Sequence, residues 1–249
     1  MERAQLSPDQ KIVAVMKNIL ADHGFSLSKN HAILDFGCGS GRHVFEFRDA
    51  GFNAFGYDKT NCLTLRDPAA SSFFRFSQDE AGYRIPYDDS TFDLVYSTSA
   101  FEHVVDYDSA FFEISRVLKP GGASLHYFPS RYRPVEPHIF VPFGGMFKSY
   151  NYFLFWAALG IRNNFQRGKR CREVAKLNLE YSKSGLCYLR KAEIAVLAWR
   201  YFKSVAFVED SYLKHCPGRS RYLYPLVWVF PGFKYLYAAL HTRVLLLKK

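Results

Sequence analysis

Residues 33–41 read Ile-Leu-Asp-Phe-Gly-Cys-Gly-Ser-Gly, with an aspartate two places before the first of three alternating glycines. Two apolar residues lead in and Arg-His-Val-Phe-Glu-Phe follows, so the pattern predicts a buried strand, a tight turn and a helix start. Glycine tolerates positive φ in such a turn, and its missing Cβ lets a ligand lie directly against the backbone. Amide N–H groups at the helix start can face a carboxylate or another anionic group. A dinucleotide fold prefers G-x-G-x-x-G. Here the glycines fall at Gly37, Gly39 and Gly41, and Arg42 stands where that pattern needs its third glycine. A glycine-rich turn is structural in many proteins, so any chemistry depends on what accompanies it. Asp58 closes the next apolar segment, Asn-Ala-Phe-Gly-Tyr, and an acid there can accept both hydroxyls of a ribose. The same aspartate could also cap a helix, and the two roles are compatible. For proton transfer near neutral pH the candidates are His103 and His138, with His126 third.

These residues need elements to position them. Ser7-Pro8-Asp9-Gln10 has the residues of a capping box, predicting a helix to about residue 22, where Gly24 stops it. Strands are predicted at 31–36, 53–57, 73–77, 94–97, 123–128, 205–208 and 243–247. Helices are predicted at 41–50, 107–118, 146–160 and 191–202, each with one apolar face or an aromatic run. Strands alternating with helices imply a parallel α/β sheet, whose ligands sit at the carboxyl ends of the strands. Gln78-Asp79-Glu80-Ala81 follows the third strand at such an end. The run 128–143 holds four prolines, which exclude a helix and predict a stiff irregular loop. Its Arg131, Arg133 and Glu136, with Glu102 beside His103, are candidate substrate contacts, though a loop whose charges merely face water fits them equally well.

The order LDFGCGSG, GYD, IPYDDSTFDLVYS, FEHV and EISRVLKPGG across residues 31–130 resembles the class I S-adenosylmethionine-dependent methyltransferases, especially the group with ubiquinone-pathway and natural-product enzymes. The resemblance implies a Rossmann-like α/β fold. Its seven-stranded, mostly parallel sheet has order 3-2-1-4-5-7-6, the last strand antiparallel and helices on both faces. It implies that Asp35, Gly37, Gly39 and Gly41 surround the methionine moiety of S-adenosylmethionine and that Asp58 holds the ribose. It puts Asp79, Glu80 and Ala81 beside the adenine, and Ser97 near the sulfonium. Some ubiquinone-pathway O-methyltransferases carry E-x-x-E-H after the fourth strand, thought to hold a divalent metal. The matching run here is Ser99-Ala100-Phe101-Glu102-His103, without the first carboxylate, so no catalytic metal is expected.

Composition sets the outer limits. The 249 residues suit one domain, with 128–190 expected as a substrate loop and cap inserted in it. Five cysteines without a C-x-x-C pair argue against a disulfide scaffold or zinc site and fit a cytoplasmic protein. Apolar stretches near 150–161 and 223–233 are shorter than the roughly 20 residues needed to span a bilayer. The net charge of +10, with basic residues concentrated at 162–176, suits an acidic partner and a weak peripheral association with anionic membrane. The expected acceptor is a small molecule, glycan or lipid, methylated on oxygen. The alternatives are a scaffold that binds without catalysis and an RNA methyltransferase, the latter supported only by charge.

Overall fold

Ala32–Phe36 is a run of apolar residues interrupted by one aspartate, and it forms the central strand β1 of a parallel sheet. The computed structural model describes residues 8–63, 68–77, 83–216 and 218–249. Within them β2 (Asn53–Asp58), β3 (Phe74–Phe76), β4 (Phe92–Thr98), β5 (Leu118–Pro129), β6 (Ser204–Phe207) and β7 (Thr242–Lys248) complete a seven-stranded sheet. The order is β3-β2-β1-β4-β5-β7-β6, and β7 runs antiparallel to both neighbours. This is the order and the single reversal that the resemblance implies.

The period-two alternation of strands divides the core. Ile33, Leu94, Tyr96, Leu125, Val244 and Leu246 face one side, where α1 (Pro8–Asp22) and α2 (Arg42–Asp49) pack. Leu34, Phe36, Val95, Phe128, Leu245 and Leu247 face the other, covered by α3 (Tyr107–Val117) and, further along the chain, α6 (Lys191–Ala198). Burial on both faces explains why these strands read as apolar runs rather than alternating ones. The apolar tail is therefore sheet core, as the sequence predicts.

Three stretches differ from the sequence expectation. β5 begins at Leu118, so Lys119-Pro120-Gly121-Gly122 is extended chain rather than a stop between helix and strand, with an irregular register opposite Phe92 and Leu94. The aromatic helix α4 is shorter, Tyr150–Ala158, because Ser149 caps it by accepting the Tyr152 N–H at 3.3 Å. The basic run 162–176 straddles a turn before α5 (Cys171–Ser184), and the Lys169 ammonium pairs with Glu173 at 2.5 Å. The Ser7 cap lies outside the described residues. Between β5 and α6 the chain builds a cap with its own small core of Ile139, Val141, Phe153 and Ala175. After β6 come α7 (Glu209–His215), α8 (Pro225–Val229) and α9 (Phe233–Leu240).

Candidate active site

The turn after β1 is held open by its glycines. Gly37 sits at φ +78°, and a Cβ there would lie 2.6 Å from the Ala100 Cβ. The Gly37 and Cys38 N–H groups both donate to the Tyr57 carbonyl, at 2.8 and 3.0 Å, folding the turn over the end of β2. Gly39 has φ +51° and nothing within 4 Å of where its Cβ would be. Its N–H donates to Asp58 Oδ2 at 2.8 Å. These residues border a cavity of about 400 Å³ at the carboxyl ends of β1, β2 and β4, with Ser99, His103 and Tyr83 on its other walls.

Asp35 and Gly41 stand behind that wall. Asp35 is buried and its Oδ1 has no hydrogen-bond partner. Burial pushes its pKa up to about 8, with the Tyr96 hydroxyl opposing and the Asp58 and Glu46 carboxylates adding. Gly41, at φ +78°, is the left-handed residue that starts α2, and a Cβ there would strike the Phe74 ring at 2.7 Å. Its role is packing.

Ser97 requires a correction. It is fully buried, and its hydroxyl bonds His126 Nδ1 at 2.8 Å. The other ring nitrogen of His126 bonds the Ser124 hydroxyl at 2.6 Å. Burial drives the His126 pKa down to about 3, so this imidazole stays neutral inside the sheet and is no base candidate. The cavity position belongs instead to Ser99, at φ +54°, whose N–H donates to the Tyr127 carbonyl at 2.8 Å. The physical reason is length: β4 runs on to Thr98, so Ser97 is still inside the strand. Asp79, Glu80 and Ala81 lie outside the described residues.

Beside the cavity sits a group of proton carriers. His103 Nδ1 is 2.6 Å from the Gly185 carbonyl. A carbonyl only accepts, so the proton resides on Nδ1 and the Nε2 lone pair is available. Desolvation lowers the His103 pKa, with the Gly185 bond opposing. His138 Nδ1 pairs with Glu136 Oε1 at 2.7 Å. Burial pulls the His138 pKa down, but Glu136 outweighs it and the net shift is upward. Glu136 also accepts the N–H groups of His138 and Ile139, at 2.8 and 2.9 Å, and the Tyr188 hydroxyl at 3.2 Å. That use of its oxygens corrects the expectation of a substrate contact: Glu136 orients His138. Glu102 is fully buried with both carboxylate oxygens unpartnered, and burial lifts its pKa to about 7. Arg131 and Arg133 are half-buried on the loop, and Arg133 is near enough to bias both Glu102 and His138.

The His103 and His138 rings meet edge to face, 5.0 Å between centroids. His138 in turn lines a second, largely apolar cavity of about 520 Å³ in the cap, with Ile139, Phe140, Phe165, Leu177 and Tyr181. The histidine pair thus separates a cavity at the sheet from one in the cap. Two bonds fasten the cap here: His103 to Gly185, and the Cys187 N–H to the Glu102 carbonyl at 2.7 Å. One ligand atom each from Glu102, His103 and His138 lie within 4.8 Å of one another. His138 joins Glu102 and His103 from the loop after β5, a meeting that local spacing could not reveal.

Residues 34–125 match the family model described as a methyltransferase domain. The segment from β1 into β5 is thus similar to a methyltransferase domain. Over 127 residues it is 30% identical to the sterol 24-C-methyltransferase of Aspergillus fumigatus, covering 48% of this chain and 33% of that protein. Over 118 residues it is 29% identical to the malonyl-[acyl-carrier protein] O-methyltransferase of Buchnera aphidicola, covering 43% and 47%. The chain thus spans less than half the length of these relatives. The solved structure of YcgJ from Bacillus subtilis superposes over 97% of both chains with a TM-score of 0.51 at 16% identity, a likeness of fold.

Methyltransferases of the matched kind use S-adenosylmethionine, and the residues around the glycine turn fit it. The open space over Gly39, the acid at the end of β2 and the orphaned oxygen of Asp35 are what a nucleoside bearing an amino-acid tail requires. Sequence reasoning found Gly37, Gly39, Asp58 and His103 on the wall. It missed Tyr57, Tyr83 and Ser99, whose positions depend on where strands end rather than on a motif.

Proposed function

We propose that this chain is an S-adenosylmethionine-dependent O-methyltransferase acting on an apolar small-molecule or lipid-type alcohol. The bound cofactor supplies an electrophilic methyl group on a sulfonium. The glycine turn and Asp58 hold the nucleoside at the sheet end, and Asp35, behind the turn, lends an acid to the cationic amino-acid end. The acceptor enters from the cap cavity, whose walls are mostly apolar. His103 Nε2 takes the proton of the acceptor hydroxyl as the oxygen attacks. His138, paired with Glu136, holds the polar end of the acceptor in line, since displacement needs nucleophile, carbon and sulfur aligned. The carrying observation is the bond from His103 Nδ1 to the Gly185 carbonyl, which commits the ring proton to Nδ1 on a residue that lines the cavity. The apolar cap favours a lipid-type acceptor over a glycan.

The test is incubation with radiolabelled S-adenosylmethionine and organic extracts, with identification of the labelled product. Label on an apolar alcohol supports the reading. Cofactor binding with no transfer to any fraction would favour a non-catalytic scaffold, and label on RNA would overturn the acceptor assignment. A second reading is favoured by the clustering of Glu102, His103 and His138, whose buried, unpartnered carboxylate would suit a divalent cation. Turnover that is lost on dialysis against a chelator and restored by magnesium or zinc would select it.

A further inference from the structure

The end of the chain carries an apolar surface that neither the cofactor site nor the cap explains. All five residues of α8, Pro-Leu-Val-Trp-Val, are apolar, yet none is buried. Trp228 is 77% exposed, and Phe230, just beyond the helix, 61%. After the Pro231-Gly232 turn, α9 buries Tyr237 and Ala238 and leaves Tyr235, Leu236 and Leu240 exposed. Water contact for so much contiguous apolar chain is unfavourable, and such patches mark interaction sites.

We propose that the α8–α9 pair docks on the surface of an anionic lipid bilayer. Charge selects this occupant. No acidic residue follows Asp210, while exposed Arg219 and Arg221 lead into α8 and Lys214 and Lys234 flank the pair. Asp22 and Asp210 are paired with Lys214 at 3.0 Å and Lys234 at 3.8 Å, which leaves Arg219 and Arg221 as the excess positive charge. A second copy of this chain would bring two such basic rims together, whereas anionic headgroups are attracted to them. Residue type points the same way: Tyr222, Trp228 and Tyr235 are exposed aromatics with a polar handle, the kind that settles at the headgroup level. Short helices broken by Pro-Gly lie in that interface and do not cross it.

The placement gives the surface a purpose. α9 leads into β7, whose Thr242 pairs with Pro129 at the carboxyl end of β5. The Ser130 N–H, at the start of the substrate loop, donates to the His241 carbonyl at 3.1 Å. The apolar pair therefore borders the same rim of the sheet as the loop bearing Arg131 and Arg133. Docking there would bring the rim of the site toward the bilayer. Membrane binding itself does not depend on the methyl acceptor.

Sedimentation of the full chain with vesicles tests it. Phosphatidylcholine vesicles containing phosphatidylglycerol should pull the protein down, phosphatidylcholine alone much less, and high salt should weaken the binding. Trp228→Ser with Phe230→Ser should lower partitioning by at least about tenfold, with the melting temperature unchanged. Arg219→Glu with Arg221→Glu should remove the preference for anionic lipid and leave the fold intact. Partitioning of the native chain that both variants retain would overturn the proposal. So would no partitioning together with a dimer that Trp228→Ser dissociates, which would assign the surface to a second copy.

Discussion

His103 and His138 touch, yet their environments push them in opposite directions, and that division makes an acid–base pair legible. The His103 pKa falls below its ordinary 6.5, so turnover that needs the bare Nε2 should rise with pH along a limb centred below 6.5. Its replacement, His103→Ala, should lower kcat by about 10²–10⁴-fold, the usual worth of a positioned base. Cofactor affinity measured by calorimetry should stay within about twofold, because the base is asked to act only in the transition state. The His138 pKa is raised by folding, so its pairing with Glu136 stabilises the protein below pH 6.5 and that contribution fades as pH climbs through the folded value. Asp35 follows the opposite logic for a carboxylate. Its folded pKa of about 8 exceeds its unfolded 3.8, so the native state holds a proton that the unfolded chain has released. Stability of the cofactor-free protein should therefore decline from pH 4 toward pH 8. Asp35→Asn should flatten that decline and raise the melting temperature at pH 8 while weakening cofactor binding. Thermal melts at several pH values, with and without S-adenosylmethionine, separate the two effects.

Strand ends and turns decide which residues reach the cavity. At Gly37 a side chain meets Ala100, and positive φ adds strain of its own. Gly37→Ala should destabilise the protein by about 2–4 kcal/mol, combining a left-handed penalty of roughly 1–2 with overpacking. Ala100→Gly added to it removes the steric part alone, so the double variant should regain roughly half of the lost stability in chemical melts. This turn was readable from the chain because three glycines beside an aspartate leave few other conformations. The parallel strands were readable for a related reason: sheets covered on both faces need uninterrupted apolar runs. The offset from Ser97 to Ser99 was not readable, since the spacing of apolar residues does not say whether β4 ends before or after Thr98. Glu136 shows a different blindness. A carboxylate in a proline-rich loop reads as a free ligand until the amides of His138 and Ile139 are found on its oxygens. Tertiary partners, not local pattern, settle what a polar side chain has left to offer.

At the scale of the whole molecule, a sheet that would hold the cofactor is joined to a cap that would hold the acceptor, through two histidines, the His103 bond to Gly185 and the backbone bond from Cys187 to Glu102. The cap was visible in the sequence only as aromatic and basic composition, because its helices pack on a small private core and show no long apolar stripe. Phe153 is the fully buried centre of that core, between Ile139, Val141 and Ala175. Phe153→Ala should remove about 3–5 kcal/mol from the packing of the cap, the usual cost of emptying an aromatic site. The sheet core does not include Phe153, so the cofactor cavity should survive. Three readings distinguish a local from a global failure. Calorimetric affinity for S-adenosylmethionine should change by less than about threefold, since distant sites behave additively. The kcat/KM for the acceptor should fall by more than about tenfold, because Ile139 and His138 line the cap cavity proposed for the acceptor and lose their support. Limited proteolysis should cut first between residues 130 and 190, where backbone freed from the cap core becomes accessible. Loss of cofactor binding in step with acceptor turnover would mean that cap and sheet fold as one unit, and the division of labour between the two cavities would fall with it.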